Sequence, residues 1–244
     1  MDSAHRRARA REEIWRARAE KVRDAFGLVL LLVLITYVLT SLLDNRGWSA
    51  VVLVLATSVT SVVALVSSHV KGGFVRGALW LSGLTVAFAV ASAVSDEVTL
   101  LNIASVIQIS LLTVAMLAVL ARVVTGAAVD SRTILGAISV YAVLGILFTF
   151  AYAMIDRLQG GAFFEEVTRP EGGDFLFFSY TTLTTTGYGN LVPGGQPGRM
   201  VSGLEMMIGQ IFLVTLVAGL VSLWQPGSGL RHRRERRDAG GESV

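Results

Sequence analysis

The chain has 244 residues, of which 53% are apolar and 16% charged, with a net charge of +3, no cysteine and three histidines. That much apolar surface does not fit inside a soluble core of ordinary size, so lipid is the expected solvent and an ordinary soluble enzyme is excluded. The missing cysteines exclude disulfides and thiolate metal sites, the scattered His5, His69 and His232 form no metal cluster, and the positive charge lies beside apolar spans, which points to membrane topology and away from nucleic acid.

Residues 1–25 form a basic segment with Glu12 and Arg16 at helical i,i+4 spacing and a narrow apolar stripe of Ile14, Trp15, Val22 and Phe26. It reads either as a helix on the inner membrane surface or as a solvated tail that sets topology. Its length ahead of the first apolar run, and the lack of a small-residue cleavage site, argue against a signal peptide. Four stretches free of charge follow, Phe26 to Leu43, Gly47 to Val70, Gly77 to Ser95 and Val98 to Ala121, each long enough for a membrane-spanning helix. They predict a four-helix domain over residues 26–124. Thr133 to Ile155 predicts a fifth span. A sixth is centred on Met206 to Leu230, starting near Arg199 and ending before Gln225-Pro226.

Between the last two spans, Phe175 to Gly198 is also free of charge, but its second half is Thr, Gly, Asn and Pro. Backbone of that composition cannot face lipid, because its polar groups would go unpaired. It has to enter the membrane and return, shielded by protein or lining water. The first half, Phe175 to Thr184, suits a short helix capped by Gly173-Asp174, with the acid at the positive end of the dipole. The second half, Thr185-Thr186-Gly187-Tyr188-Gly189, suits a stack of backbone carbonyls. An ion stripped of water needs a shell of oxygens at similar energy, and carbonyls all pointing one way require alternating backbone handedness. Gly187 and Gly189 sit where positive φ is needed. The Tyr188 ring is expected to turn outward against the short helix, and the Thr185 hydroxyl to add an oxygen layer at the inner end. One loop per chain supplies a quarter of such a ring, which predicts a homotetramer. The whole is an all-α membrane protein: six transmembrane helices, four as a bundle and two as a pore module with a re-entrant helix and filter.

Seventeen of the 21 basic residues fall on one side of this topology, leaving Arg46, Arg157, Arg169 and Arg199 opposite, with the acidic turn Ser95-Asp96-Glu97 and the acidic loop from Asp156 to Asp174. Both termini are therefore expected in the cytoplasm of a multi-pass cell-membrane protein. The Arg231 to Arg237 run, in a short tail over residues 226–244, is expected to sit against anionic lipid. The preference for Arg over Lys, with abundant Ala, Val, Leu and Gly, points to a GC-rich bacterial genome.

Thr182 to Asn190 resembles the signature of the potassium channel family, and Asn190-Leu191-Val192-Pro193 resembles its exit. The likeness runs from Thr133 to Trp224, within a predicted pore domain at 133–225, and is closest to prokaryotic six-helix channels. It implies potassium ions at Thr185, Thr186, Gly187 and Tyr188, no other cofactor, and Gly209 as an inner-helix hinge. Departures are equally specific. Asn190 stands where Asp is common, Phe177 where many members have Trp, and Thr181 where some have Glu. The bond that ties the filter's outer end in those members is thus missing, and Phe177, Thr181 and Asn190 are the filter's remaining supports. Thr186 replaces the usual Val or Ile with another β-branched side chain.

Two polar residues on the last helix need an account. Glu205 lies about 9 Å below its outer end at 1.5 Å rise per residue, where a carboxylate needs a partner or water. It reads either as a proton-sensitive group or as a structural acid bonded to Ser or Thr hydroxyls of the pore helix. Gln210 faces the cavity or bonds another helix. The fourth span has no charge before Arg122, whereas voltage sensors of the six-helix family carry a basic residue at every third position there. A channel without classical voltage gating is the expectation. A weakly selective cation channel and a nonconducting scaffold are the alternatives; the scaffold has no use for a Thr and Gly run at membrane depth, and a four-loop transporter would need four such loops in one chain.

Overall fold

The structure is a computed structural model that describes residues 26–43, 46–124 and 131–223. The basic segments at either end, with the amphipathic stripe up to Val22 and the Arg231 to Arg237 run, lie outside the described residues. Seven helices occur among those described: α1 (Phe26–Leu42), α2 (Gly47–Ser67), α3 (Gly72–Ser95), α4 (Val98–Val124), α5 (Ser131–Leu158), α6 (Gly172–Leu183) and α7 (Gln196–Leu223). No strand is found among the described residues, only an isolated antiparallel bridge between Phe164 and Pro193.

Five of the helices, α2, α3, α4, α5 and α7, are long and apolar enough to cross a membrane, and α1 is a shorter apolar helix. At 17 residues α1 extends about 26 Å at 1.5 Å per residue, close to the thickness of a hydrocarbon core. Charges did not mark the helix ends as the sequence reading supposed. α3 begins at Gly72 and runs through Arg76, α4 continues past Arg122, and α5 continues through Asp156 and Arg157. Long basic side chains reach the interface from within a helix, so a charge ends the hydrocarbon span without ending the hydrogen-bond ladder. The α3–α4 turn is tight: Asp96 adopts a left-handed φ of 53° and the Ser92 hydroxyl donates to the Glu97 carbonyl at 2.8 Å.

Helices α2, α3 and α4 pack on one another, α1 packs on α2, α5 and α6, and α4 also packs on α5. Their core is built from Val29, Val33, Leu65, Leu111, Leu112 and Val119, meeting Val140, Val143 and Ile146 of α5. It is also unusually rich in hydroxyls. Thr36, Thr40, Thr57, Thr60, Ser61, Thr85 and Ser105 are all buried. Each donates to the carbonyl four residues earlier in its own helix, for example Thr57 to Leu53 at 2.8 Å and Thr85 to Leu81 at 2.7 Å. That habit satisfies the hydroxyl locally and leaves little to hold one helix to the next. Near the amino-terminal end of α4, Arg157 of α5 donates to Asn102 Oδ1 at 2.8 Å and Ser105 Oγ at 2.6 Å, pinning α4 to α5.

Candidate ion-conduction site

The site is assembled by α5, α6, α7 and the loops that flank α6. α6 starts one turn earlier than the sequence indicated: Glu171 occupies the cap position, and Asp174 lies in the first turn, its Oδ2 accepting the Glu171 amide at 2.8 Å. The expected Gly173-Asp174 cap is therefore corrected to Glu171. The acid still sits where the helix dipole favours it. One face of α6 is buried, with Phe175, Leu176, Phe178, Ser179, Thr182 and Leu183 inward. Phe175 and Phe178 join Phe163 and Phe164 of the preceding loop and Tyr152 of α5 in a cluster of edge, tilted and stacked ring contacts with centroids 4.8 to 6.0 Å apart. A pair of adjacent phenylalanines in an otherwise Gly- and Glu-rich loop was the available signal for this plug, and the sequence reading passed over it.

At its carboxyl end α6 turns into the loop without losing its hydrogen bonds. The amide of Thr185 donates to the Thr182 carbonyl at 3.0 Å, and those of Thr186 and Gly187 both donate to the Thr181 carbonyl at 2.8 and 3.1 Å. The loop's N–H groups thus point back into the helix end. Positive φ then recurs at every second residue: 57° at Thr185, 52° at Gly187 and 79° at Gly189, with Thr186 and Tyr188 in the ordinary region. This is the alternation that turns successive carbonyls to one side. Gly187 and Gly189 were expected to adopt it. Thr185 does so as well, at a cost of about 1–2 kcal/mol for a residue with a Cβ. Among the described residues no hydrogen bond uses the carbonyls of Thr185, Thr186, Gly187 or Tyr188. Thr184 Oγ1 and Thr186 Oγ1 are 2.8 Å apart.

The supporting residues fall as follows. Tyr188 turns outward and stacks on Phe177, centroids 5.6 Å apart and planes 18° from parallel. Thr181 supports the loop through its carbonyl, its hydroxyl being used on the Phe178 carbonyl at 3.0 Å. The Asn190 side chain has no hydrogen bond among the described residues, so the tie absent from the sequence is absent from the geometry. The exit is held from elsewhere. Glu165 N donates to Val192 O at 3.0 Å and Gly194 N to Phe163 O at 2.9 Å. Arg199 bridges the Pro193 carbonyl at 3.0 Å and Glu165 Oε1 at 2.7 Å.

α7 begins with Pro197 in its first turn, where a missing amide costs nothing, and runs unbroken past Gly209. Its buried stripe is Gly198, Ser202, Glu205 and Gly209, spaced four, three and four residues apart. A Cβ on Gly209 would lie 2.6 Å from the Leu183 carbonyl oxygen and 2.7 Å from Leu183 Cδ1. The glycine expected as a hinge is in this structure a contact point that lets α7 touch the end of α6. The same Leu183 carbonyl accepts the Tyr141 hydroxyl at 3.0 Å, and Tyr141 stacks on Phe212 of α7. Tyr180 lies against Gly145, where a Cβ would come within 2.7 Å of its ring, and donates to the Ala142 carbonyl at 2.6 Å. Gln210 is exposed. Glu205 is fully buried and bonded to Ser179 of α6, the structural alternative of the sequence reading, and also to Tyr152 of α5, which that reading did not find.

Residues 146–225 match a family model described as "Ion channel", covering α5 from Ile146 onward, all of α6 and α7 and the loops between them. No curated protein matches the chain. No solved structure matches it either. The family match indicates an ion channel, and the five long apolar helices make it a multi-pass membrane protein.

Proposed function

We propose that the chain is one subunit of a potassium-selective channel, with Thr185 to Gly189 as its filter. The observation that carries this reading is the combination of alternating φ at 185, 187 and 189 with amides tied back to α6, which leaves the carbonyls of Thr185 to Tyr188 uncommitted. Carbonyls so arranged replace the hydration shell of an ion the size of potassium. Thr185 lends its hydroxyl at the inner end. Potassium is the cargo, and no other cofactor has a role.

One chain supplies one such loop, so a closed ring needs copies around a symmetry axis, four in this proposal. The burial pattern supports it. An apolar stretch of α5 is 61% buried within the chain, against 17% for that of α7. Met200, Met207, Ile211 and Val214 of α7 are each more than half exposed, and Tyr188 is 70% exposed. In the assembled channel these surfaces meet neighbouring subunits, lipid or the cavity, with Gln210 toward the cavity. α1 to α5 and α7 make six spans, both termini lie in the cytoplasm of a bacterial cell, and the basic segments beyond the described residues meet anionic lipid. α4 carries no charge before Arg122, so the four-helix domain does not act as a classical voltage sensor.

The test is mass measurement of the full chain in nanodiscs, paired with ion flux from proteoliposomes. A tetramer that releases potassium down its gradient is the expected result. A conducting dimer would refute the stoichiometry, and a tetramer that carries no ion would return the scaffold reading.

A further inference from the structure

Glu205 sits in a closed circuit of side chains that joins all three helices of the pore module. Tyr152 of α5 donates its phenolic hydrogen to Glu205 Oε2 at 2.5 Å. Glu205 Oε1 is 2.5 Å from Ser179 Oγ of α6. Ser179 Oγ is in turn 2.8 Å from the Gly145 carbonyl, back on α5 two turns from Tyr152. The set is closed to bulk solvent, since Glu205, Tyr152 and Ser179 each have 0% exposure. Three oxygen–oxygen contacts need three hydrogens. Tyr152 brings one, Ser179 one, and a carbonyl none.

We infer that Glu205 supplies the third, sitting in this site as a neutral carboxylic acid that donates from Oε1 to Ser179, while Ser179 donates to Gly145. Donation then runs in one sense around the circuit, from α5 to α7 to α6 and back to α5. An ionised Glu205 would claim the only hydrogen of Ser179 and leave the Ser179–Gly145 contact as two facing lone pairs. It would also place a charge in a region where the neighbouring titratable groups are Tyr141 and Tyr152 from α5 and Tyr180 from α6. No lysine, arginine or histidine is among its hydrogen-bond partners. Glu205 is thereby a positioning residue. It fixes the face of α6 opposite the candidate filter through a proton that it keeps.

This assignment does not depend on which ion passes the pore, and its test does not measure current. The full chain in lipid nanodiscs at pH 7 has its exposed carboxyl groups ionised. Infrared spectroscopy is then expected to show a protonated-carboxyl C=O stretch that disappears in Glu205→Gln. No such band, or one that persists in the variant, overturns the inference. Glutamine reproduces the proposed pattern, its carbonyl accepting from Tyr152 and its amide donating to Ser179, whereas alanine offers neither. Thermal unfolding of Glu205→Gln is expected within about 3 °C of the parent and that of Glu205→Ala at least about 5 °C lower. A Gln variant that fails to assemble, or falls as far as the Ala variant, shows that the site requires the carboxylate. If the Ala variant does not fold, the infrared band and the Gln variant still decide.

Discussion

The four-helix domain and the pore module both bury many polar side chains, but they use them in opposite ways. In α1 to α4 the hydroxyls bond their own helix one turn back, and side-chain bonds from one helix to the next include, among the described residues, Thr36 with Thr60 at 3.3 Å and Ser58 with Gln108 at 3.1 Å. In α5 to α7 they reach across, with Tyr141 to Leu183, Tyr180 to Ala142, Ser179 to Gly145 and Tyr152 to Glu205. The first arrangement satisfies polar groups without fixing helix positions. The second braces the short helix that carries the loop from both sides. In the proposed channel a carbonyl ring has to keep its diameter, whereas a surrounding bundle has only to pack, and the two halves differ in the way that reading expects.

The sharpest way to break this comparison is to add one methyl group to a glycine in each half. Gly209→Ala forces a Cβ to 2.6 Å from the Leu183 carbonyl, backbone that cannot step aside, whereas Gly83 on α3 has nothing within 4 Å of its Cβ direction. Overpacking predicts a loss of about 1–3 kcal/mol for Gly209→Ala. Gly83→Ala is expected to be neutral or to stabilise by up to about 1 kcal/mol through helix propensity. Thermal unfolding of both variants in detergent checks the signs, and equal losses would mean that the pore module is no tighter than the bundle.

Hydroxyl deletions sharpen the same contrast on a smaller scale. Tyr141→Phe removes the side-chain donor to Leu183 O and should cost about 1 kcal/mol. Thr57→Val removes only bonds within α2 and leaves no group on another helix unpaired, so it should cost less than Tyr141→Phe. The same denaturation assay measures both.

What the sequence revealed of each half follows from what marked it. Spans were legible because charges bracket them, and the loop was legible because Gly187 and Gly189 are the residues that alternating handedness demands. The cross-braces were not. Tyr152 and Glu205 are 53 residues apart, and nothing local to Tyr152 says that its hydroxyl meets an acid. The stripe of Gly198, Ser202, Glu205 and Gly209 was a usable signal, since small and polar residues at helical spacing on an otherwise large-residue helix mark where it packs closely. Read with its stripe, Gly209 is a point of close contact with Leu183, which the hinge expectation did not include. The positive φ at Thr185 was invisible because a threonine gives no warning of it.

At the outer end of the loop, Phe177 stacks on Tyr188 without a donor, and the exit is held instead by Arg199 and Glu165. Phe177→Trp together with Asn190→Asp should restore the missing tie and slow any decline of current during sustained opening. Recordings in which the pair changes neither the decline nor ion occupancy would show that the existing clasp already does that work. The smallest effect belongs to the bundle. Arg122→Gln should leave a shallow conductance–voltage slope unaltered, because each charge crossing the full field is worth about 2.3 kcal/mol per 100 mV and steep gating needs several per subunit. A steep curve that flattens in this variant would make α4 a voltage sensor after all.

The most direct test of the whole account is the reversal potential of the purified channel in a lipid bilayer with potassium on one side and sodium on the other, recorded for the parent chain and for Gly187→Ala. The account predicts a reversal potential strongly displaced toward potassium selectivity in the parent, and no current in a variant that still assembles, because a methyl group opposes the φ of 52° at that position. A reversal near zero in the parent, or unchanged selective current in Gly187→Ala, would contradict it.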